Sequence, residues 1–219
     1  MGLLEGKRAL ITGVANERSI AYGIAKSFHR EGAELAFTYA NEKLKKRVEE
    51  IAKEFGSELT FKCDVSNDED IRALKEYLSS TWGTLDIIVH SIAFAPREEF
   101  TKGVIDTTRE GFKIAMDISV YSLIALTREL LPLMEGRKGA IITLSYYGAE
   151  KVVPHYNVMG IAKAALESTV RYLAYDIAKH GHRINAISAG PVKTLAAYSI
   201  TGFHLLMEHT TKVNPFGRA

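Results

Sequence analysis

The sequence has a single cysteine, no long hydrophobic run and little excess of charge of either sign. Cys63 is the only cysteine among 219 residues, so no disulfide can form within the chain, which fits a reducing cytoplasm. Nowhere do about 18 apolar residues follow one another, so no membrane-spanning helix is expected. The formal net charge of +2 lacks the basic excess of nucleic-acid-binding proteins. We therefore expect a cytoplasmic protein that has neither a membrane nor a nucleic acid as its partner, and no metal site is predicted.

Short apolar runs typical of β-strands alternate along the chain with amphipathic stretches of helical period. Strands are predicted at 7–12, 33–39, 58–65, 85–93, 139–145 and 183–190, and helices at 19–32, 41–56, 107–131 and 156–181. A further helix would begin at Ser66, which forms a capping-box pattern with Glu69. The alternation predicts a Rossmann-like, doubly wound parallel sheet with helices on both faces. No linker or repeat divides the chain, so residues 1–219 are interpreted as one dinucleotide-binding catalytic domain.

The turn after the first strand, ITGVANERSIAYGIA, connects a strand to a helix as a phosphate-binding loop does, but it lacks the usual glycine motif. Gly13 can take backbone conformations that other residues resist, and Ser19 can cap the following helix, whose free N–H groups favour a phosphate. The glycines of the stretch, Gly13 and Gly23, do not fit the G-x-G-x-x-G pattern. An ordinary strand-to-helix turn is therefore an equal alternative.

Other candidate cofactor contacts lie where strands end, because ligands of such sheets bind beyond the carboxyl ends. Ala40, after the second strand, offers neither the acid that holds a ribose nor the base that admits a 2′-phosphate, which favours NADH over NADPH. The corresponding positions after the third, fourth and last strands are Asp64-Val65, Ser91-Ile92-Ala93 and Gly190-Pro191. Asp64 either accepts a hydrogen bond from adenine or forms the turn before Ser66. Gly190-Pro191 either present backbone groups to a nicotinamide or form a structural turn.

Tyr156 and Lys163 are seven residues apart in the stretch SYYGAEKVVPHYNVMGIAK, residues 145–163. On a continuous helix seven residues turn by about 700° and rise by about 10.5 Å, so the two side chains would share a face. Because helical side chains lean towards the N-terminus, the lysine would reach towards the tyrosine. A nearby ammonium can lower the tyrosine pKa and make the phenol a usable acid or oxyanion stabiliser. The alternative is a buried tyrosine beside a surface lysine.

Residues 194–210 are apolar and are interrupted by Gly202. This pattern predicts either a lid that covers an apolar substrate or a pair of core helices, and the sequence does not decide between them.

Together these stretches resemble the short-chain dehydrogenase/reductase family, and within it the bacterial NADH-dependent enoyl-acyl-carrier-protein reductases of type II fatty acid synthesis. The matching signatures, in the expected order, are ITGVANERSIAYGIA, CDV at 63–65, HSIAFAP at 90–96, LSYYGAE at 144–150, YNVMGIAK at 156–163 and AGPVKTLAA at 189–197. Most members of the wider family have Tyr-x3-Lys. Here Gly160 stands at that lysine position and Lys163 follows three residues later, which is the hallmark of the enoyl reductases.

The resemblance implies a role for each matching position. The implied cofactor, NADH or NAD, would be bound by Gly13, Ser19, Ile20, Ala40, Asp64, Val65, Ser91, Ile92, Ala93, Lys163, Gly190, Pro191, Val192, Thr194, Leu195 and Ala196. The implied catalytic residues are Tyr146, Tyr156 and Lys163, and the implied substrate contacts are Ala95, Tyr146, Tyr156, Met159 and Phe203. The implied partners are an acyl carrier protein that carries an enoyl thioester and further copies of the chain in a homotetramer.

The implied reaction is hydride transfer from NADH to the β-carbon of a trans-2-enoyl thioester, with Tyr156 stabilising the enolate. The enolate oxygen is two carbons from the hydride acceptor, which accounts for a longer Tyr–Lys spacing than in carbonyl reductases. Two departures from the family pattern stand out. Ala40 replaces a longer polar residue, and six strands are expected here where the family usually has seven, without the last. Competing hypotheses are a carbonyl or alcohol oxidoreductase of the same family and a non-catalytic dinucleotide-binding regulatory domain.

Overall fold

The computed structural model describes residues 2–198 and 202–218, in which a parallel sheet lies between two layers of helices. Its six strands are β1 (Arg8–Ile11), β2 (Glu34–Tyr39), β3 (Thr60–Lys62), β4 (Ile87–His90), β5 (Ala140–Tyr146) and β6 (Arg183–Ala189). They lie in the order β3-β2-β1-β4-β5-β6, and every neighbouring pair is parallel. The predicted Rossmann-like sheet is thereby confirmed.

In the described residues, helices connect the strands and also follow β6. They are α1 (Ile20–Arg30), α2 (Glu42–Glu54), α3 (Asp68–Thr81), α4 (Glu98–Thr101), α5 (Arg109–Met116), α6 (Ser122–Leu130), α7 (Asn157–Ala178), α8 (Leu195–Tyr198) and α9 (Phe203–Val213). A π-helical turn, Asp117–Tyr121, joins α5 to α6, so the long helix predicted at 107–131 is interrupted by a wider turn. Within residues 2–198 and 202–218, no helix has both the length and the apolar character needed to cross a membrane.

Two helix starts differ from the prediction. The N-cap of α3 is Asn67, whose side chain accepts a hydrogen bond from the Glu69 N–H, rather than Ser66. The Ser66 hydroxyl instead donates to Asp64 Oδ1 at 2.7 Å. The helix predicted from Tyr156 begins one residue later, at Asn157, whose backbone is left-handed with φ of 44°. Asparagine tolerates that conformation better than most residues.

The core lies on both faces of the sheet because the strands are apolar on both sides. Alternate residues of a strand point to opposite faces, so Leu10 and Ile88 pack with α3 and α6 while Ile11 and Val89 pack with α1 and α2. All four side chains are almost fully buried. Burial on both faces fixes the strand register, and the register places the six carboxyl ends at one edge.

An ion cluster closes the opposite edge of the sheet around Asp86, which is 2% exposed. Its carboxylate accepts hydrogen bonds from Lys7 Nζ at 3.1 Å, from the Arg8 N–H at 3.1 Å and from Arg137 Nε and Nη2 at 3.1 and 2.9 Å. Burial alone would raise the pKa of Asp86, but the hydrogen bonds from these donors outweigh it and hold the pKa below its ordinary value. The cluster ties the chain before β1 to that before β5.

Asp86→Asn should lower the free energy of unfolding at pH 7 by about 2–3 kcal/mol, since two cations lose the carboxylate that they share. A carboxylate with a depressed pKa stabilises the fold above its unfolded pKa and ceases to do so as pH falls through the folded pKa. The difference between parent and variant should therefore shrink below about pH 4. Urea unfolding at pH 7 and pH 3 measures this, with the exposed Asp106→Asn as control. An equal deficit at both pH values would contradict the charge-based account.

Candidate active site

The carboxyl ends of β1 and β4 form the crevice around which the predicted cofactor residues lie. The chain runs outward from β1 to β3 on one side and from β4 to β6 on the other, so β1 and β4 meet at the switch point of the sheet. Thr12 ties the two ends together. Its Oγ1 donates to the Val89 carbonyl at 2.9 Å and accepts a hydrogen bond from the Ser91 N–H at 3.3 Å. Sheets of this order bind dinucleotides at this crevice.

Two glycines shape the crevice. Gly13 has φ of 78°, and a Cβ there would overlap the carbonyl oxygen of Ser91, so only glycine lets the β1 loop lie this close to the β4 loop. Gly190, at the end of β6, borders open space, since an added Cβ would meet no atom within 4 Å. Ser19 caps α1 by accepting from the Tyr22 N–H at 3.3 Å, and its hydroxyl donates to the Asn16 carbonyl at 2.7 Å.

The predicted adenine-side residues lie beyond β2 and β3. Ala40 is exposed, and the side chain of Asn41 caps α2 by accepting from the Lys43 N–H at 3.1 Å. Asp64 Oδ1 accepts from both the N–H and the hydroxyl of Ser66, at 3.0 and 2.7 Å, so the turn role considered for Asp64 is observed. Val65 is buried in the core at 7% exposure.

The loop after β4 is held in place by Ser119, a residue of the π-helical turn. Ser119 Oγ accepts from the Phe94 N–H at 3.0 Å, donates to the Phe94 carbonyl at 3.1 Å and lies 3.9 Å from Met159 Sδ. Ser91 and Ile92 are half-buried, Ala93 is exposed and Ala95 is buried. Because both backbone groups of Phe94 are bound, the loop carrying the predicted cofactor and substrate residues has a fixed path.

Tyr146 and Tyr156 form an aromatic pair at the carboxyl end of β5. Their ring centroids are 4.9 Å apart and their planes meet at 73°. Gly148 packs against the Tyr156 ring, where an added Cβ would lie 2.5 Å from Cδ1. A Cβ on Gly160 would lie 2.9 Å from the Gly148 carbonyl oxygen, so the position that holds a lysine in the wider family is filled here by backbone. Tyr146 is half-buried and Tyr156 is 8% exposed.

The backbone around Tyr156 corrects the prediction that Tyr156 and Lys163 share one continuous helix. His155 and Asn157 both have left-handed backbones, with φ of 65° and 44°, so Tyr156 stands before the first turn of α7. Such conformations cost free energy in residues other than glycine and must be held by their surroundings. Asn157 Nδ2 provides one restraint by donating to the Lys102 carbonyl at 2.5 Å, which ties α7 to the end of α4.

The expected lowering of the Tyr156 pKa by Lys163 is also wrong. Burial raises the pKa of Tyr156 above that of a free phenol, and Tyr146 adds to the effect. Burial lowers the pKa of Lys163 to about 8, although the negative charge of Glu167 acts in the opposite direction. Lys163 is 6% exposed and its Nζ donates to the Leu144 carbonyl at 2.6 Å, so the alternative of a surface lysine is excluded. Tyr156 is therefore a neutral hydrogen-bond donor at physiological pH.

The chain after β6 borders the same edge of the sheet. Val192 is 45% exposed, Pro191 is half-buried, and Thr194 Oγ1 accepts from the Ala197 N–H at 3.1 Å. Leu195 and Ala196 begin α8, but their side chains lie outside what the structure describes, as do residues 199–201 of the predicted lid. Phe203 is buried in α9 and packs edge-on against Tyr198 with centroids 5.6 Å apart.

The sequence interpretation missed several residues of this region. They are Ser119, Ser145, Gly148, Asn157 and Glu167. Glu167 carried a usable signal, because it stands four residues after Lys163 on the same helix face. Ser119 carried none, since only the π-helical turn directs it at Phe94.

Comparison with known proteins agrees with this geometry. A family model described as enoyl-(acyl carrier protein) reductase matches residues 13–219. The chain is 88% identical to the enoyl-acyl-carrier-protein reductase (NADH) of Aquifex aeolicus over 100% of its own length and 81% of the relative's. It is 51% identical to the Escherichia coli enzyme of the same name, over 100% of this chain and 83% of that relative.

Solved structures give the same result. The crystal structure of the Aquifex aeolicus reductase superposes with a TM-score of 0.97 at 87% identity, covering 99% of this chain and 85% of that one. The reductase of Anaplasma phagocytophilum in complex with NAD superposes with a TM-score of 0.94 at 47% identity, covering 99% and 82%. The strand order, the tyrosine pair, the buried lysine and the matched family model agree, and the chain belongs to the enoyl-(acyl carrier protein) reductase family.

Proposed function

We propose that Tyr156, Tyr146 and Lys163 carry the chemistry of this family in the present chain. The chain is an NADH-dependent enoyl-acyl-carrier-protein reductase, which reduces the trans-2 double bond of an enoyl thioester in the elongation cycle of fatty acid synthesis. The observation that supports the assignment of residues is the buried phenol of Tyr156 beside Tyr146, together with the buried Lys163 bound to the Leu144 carbonyl, at the edge of the sheet where dinucleotides bind.

The cofactor would lie along the carboxyl ends of the strands. Gly13, with Ser19 and Ile20 at the start of α1, would hold the pyrophosphate, since that helix start presents free N–H groups. Lys163 would bind the nicotinamide ribose. The remaining proposed contacts are Ala40, Asp64 and Val65 on the adenine side, Ser91, Ile92 and Ala93 along the middle, and Gly190, Pro191, Val192, Thr194, Leu195 and Ala196 around the nicotinamide. When bound, NADH supplies the hydride for the β-carbon of the substrate.

The protein's own task is to stabilise the negative charge that develops on the thioester oxygen. Tyr156 would donate its O–H to that oxygen, and the donation strengthens as the enolate forms, which lowers the barrier. Its raised pKa suits this role, because a phenol that stays protonated remains a donor throughout the neutral range. Tyr146 packs edge-on against Tyr156 and would keep the phenol aimed at the substrate. Ala95, Met159 and Phe203, all buried, would line the acyl pocket.

Residues 1–219 are proposed to act as one catalytic domain, with 194–210 as a lid over the acyl chain. Support for the lid comes from α9, where Phe203 is buried against Tyr198 while Leu205 is 57% exposed, so the segment has apolar side chains left to cover a substrate. A lid of this kind would exclude water from the reaction.

The enoyl group reaches the site on acyl carrier protein, the partner that the family name specifies. We further propose a cytoplasmic homotetramer in which α5, α6 and α7 form much of the contact. The outer face of α7 supports this, because Tyr172 and Tyr175 are 75% and 84% exposed, and Tyr172 lines a groove together with Ile124, Ala165 and Leu173.

The assignment is tested by following NADH absorbance with crotonyl thioester and, separately, with acetoacetyl thioester. We expect NADH oxidation with crotonyl thioester, because its β-carbon, which accepts the hydride, lies two carbons from the carbonyl carbon whose oxygen Tyr156 would hold. Oxidation with acetoacetyl thioester alone would identify a carbonyl reductase instead. Binding of NADH without oxidation of either substrate would point to a dinucleotide-binding regulatory domain.

A further inference from the structure

We propose that Glu167 is a positioning residue for Lys163: it joins α7 to β5 through Ser145, and its negative charge keeps the buried lysine in the ammonium form that the cofactor ribose requires. The proposal rests on the function assigned to Lys163 above. It adds a residue that does not touch substrate or cofactor and acts through the lysine.

The first support is the pair of hydrogen bonds between β5 and α7. Lys163 Nζ donates to the carbonyl of Leu144 at 2.6 Å, and the hydroxyl of Ser145, the next residue, donates to Glu167 Oε1 at 2.5 Å. Lys163 and Glu167 are one helical turn apart and so lie on the same face of α7. Two consecutive residues of the strand are thus bound to two consecutive turns of the helix, and these bonds fix the position of Lys163 relative to β5.

The second support is burial of the opposite charges. Lys163 is 6% exposed and Ser145 is 4% exposed, while Glu167 is half-buried at the edge of the same cluster. An ammonium in such surroundings loses most of its hydration, and a nearby carboxylate offsets part of that loss. In agreement, burial lowers the pKa of Lys163 to about 8 and Glu167 opposes the decrease.

The titratable groups on neighbouring strands and at the helix start are uncharged at neutral pH. The two ring nitrogens of His90 on β4 form hydrogen bonds with Ser122 Oγ at 2.8 Å and with Thr143 Oγ1 at 2.9 Å. Burial, and after it repulsion from Lys163, lowers the pKa of His90 to about 3. Tyr146 on β5 and Tyr156 before α7 have pKa values raised by burial. These groups offer Lys163 no counter-charge.

The remaining elements packed against α7 direct their charges elsewhere. Glu99 of α4 accepts from the Thr108 hydroxyl at 2.6 Å. Asp117 of the π-helical turn has a pKa raised by burial and by the neighbouring acids Asp68 and Asp64. Lys113 and Glu110 of α5 pair with each other at the surface. Tyr147, in the turn after β5, is an exposed phenol. Arg183 is exposed at the start of β6, which is the end of the sheet opposite to Lys163. Glu167 is thus the carboxylate that acts on the Lys163 charge.

The test compares Glu167→Gln, which keeps the length and the acceptor for Ser145, with Ser145→Ala, which keeps the charge and removes the hydrogen bond. NADH binding is followed by fluorescence from pH 6 to pH 10 in the full chain. With Glu167→Gln, the pH at which binding is half lost should fall by roughly one unit, so affinity at pH 8.5 drops about five- to tenfold while affinity at pH 6 stays within about twofold. Ser145→Ala and the exposed Glu76→Gln should leave that midpoint in place.

A second readout needs no cofactor. Carbon-13 NMR of lysine labelled at Cε, with the Lys163 signal assigned by its loss in Lys163→Met, reports the lysine titration directly. The proposal predicts that the Lys163 midpoint falls in Glu167→Gln and stays in Ser145→Ala. An unchanged midpoint, or an equal loss of affinity in both variants at every pH, overturns it. If Glu167→Gln does not fold, Glu167→Asp should shift the midpoint in the same direction by less, and no shift there also overturns it.

These outcomes separate the proposal from the proposed function. If the parent chain fails to oxidise NADH with crotonyl thioester, the assigned reaction is wrong, yet the NMR midpoints still decide whether Glu167 sets the charge of Lys163. If the parent is active and the midpoints do not move, the reaction stands and the role of Glu167 is refuted.

Discussion

Tyr156→Phe should lower kcat for crotonyl thioester reduction by about 10²–10³-fold and leave the Kd for NADH within about twofold of the parent. The substitution removes one hydroxyl and keeps the ring that packs edge-on against Tyr146. That hydroxyl is proposed to donate to the thioester oxygen, where charge is greater in the transition state than in the ground state. Losing it therefore raises the barrier more than it weakens the binding of substrate or cofactor.

The measurement is steady-state kinetics with NADH and crotonyl thioester, together with fluorescence titration of NADH. Tyr147→Phe is the matched control, because Tyr147 is a neighbouring tyrosine that is 54% exposed and has no proposed role in the reaction. The control should keep kcat within about twofold of the parent. A parent-like kcat in Tyr156→Phe would remove Tyr156 from the reaction, whereas a rise in KM at constant kcat would assign it to substrate binding alone.

The strands and the class of the sheet follow from patterns that are local in sequence. LDIIVHSIA is apolar for nearly its whole length, and such a run between helical stretches is typical of a strand buried on both faces. Alternation of these runs with helices restricts the topology to a doubly wound sheet, since parallel strands need crossovers of one hand. The observed order β3-β2-β1-β4-β5-β6 has that form, and the ends of β1 and β4 meet at its switch point.

The geometry around Tyr156 could not be predicted in the same way, because it depends on contacts between distant segments. The seven-residue spacing suggested one helix face, but Asn157 adopts φ of 44° and donates to the Lys102 carbonyl, more than fifty residues earlier in the chain. The predicted lowering of the Tyr156 pKa was wrong for a related reason. Charge proximity is suggested by spacing, whereas burial, which dominates here, is a property of the packed structure.

The glycines show where sequence and structure complement each other. Gly160 was recognised as a departure from the lysine of the wider family, and the structure supplies the reason: a side chain there would press on the Gly148 carbonyl beneath Tyr156. Ser119 gave no such signal, because the sequence pattern does not distinguish it from any other serine in an amphipathic helix. Only in the structure does the π-helical turn direct Ser119 at both backbone groups of Phe94. Turns of this kind are frequent at functional sites.

Lys163→Met should weaken NADH binding by about 10- to 100-fold at pH 7, while kcat at saturating NADH falls less than in Tyr156→Phe. Methionine keeps most of the buried volume and removes the ammonium that is proposed to bind the nicotinamide ribose. It also removes the donor to the Leu144 carbonyl and the charge that offsets that of Glu167, so the melting temperature should fall by a few degrees. A loss of NADH affinity measured well below that melting temperature would distinguish a binding role from a structural one.

The pH dependence gives the same prediction a second, independent check. The pKa of Lys163 is about 8, so the ammonium is present at pH 6 and is lost as pH rises through that value. In the parent, NADH affinity should therefore fall between about pH 7 and pH 9, whereas Lys163→Met should bind weakly and without this dependence. Lys179→Met, at the exposed end of α7, serves as the control and should follow the parent curve. If Lys163→Met binds NADH as tightly as the parent at pH 7, the ribose role is wrong, and the long Tyr–Lys spacing would need another explanation.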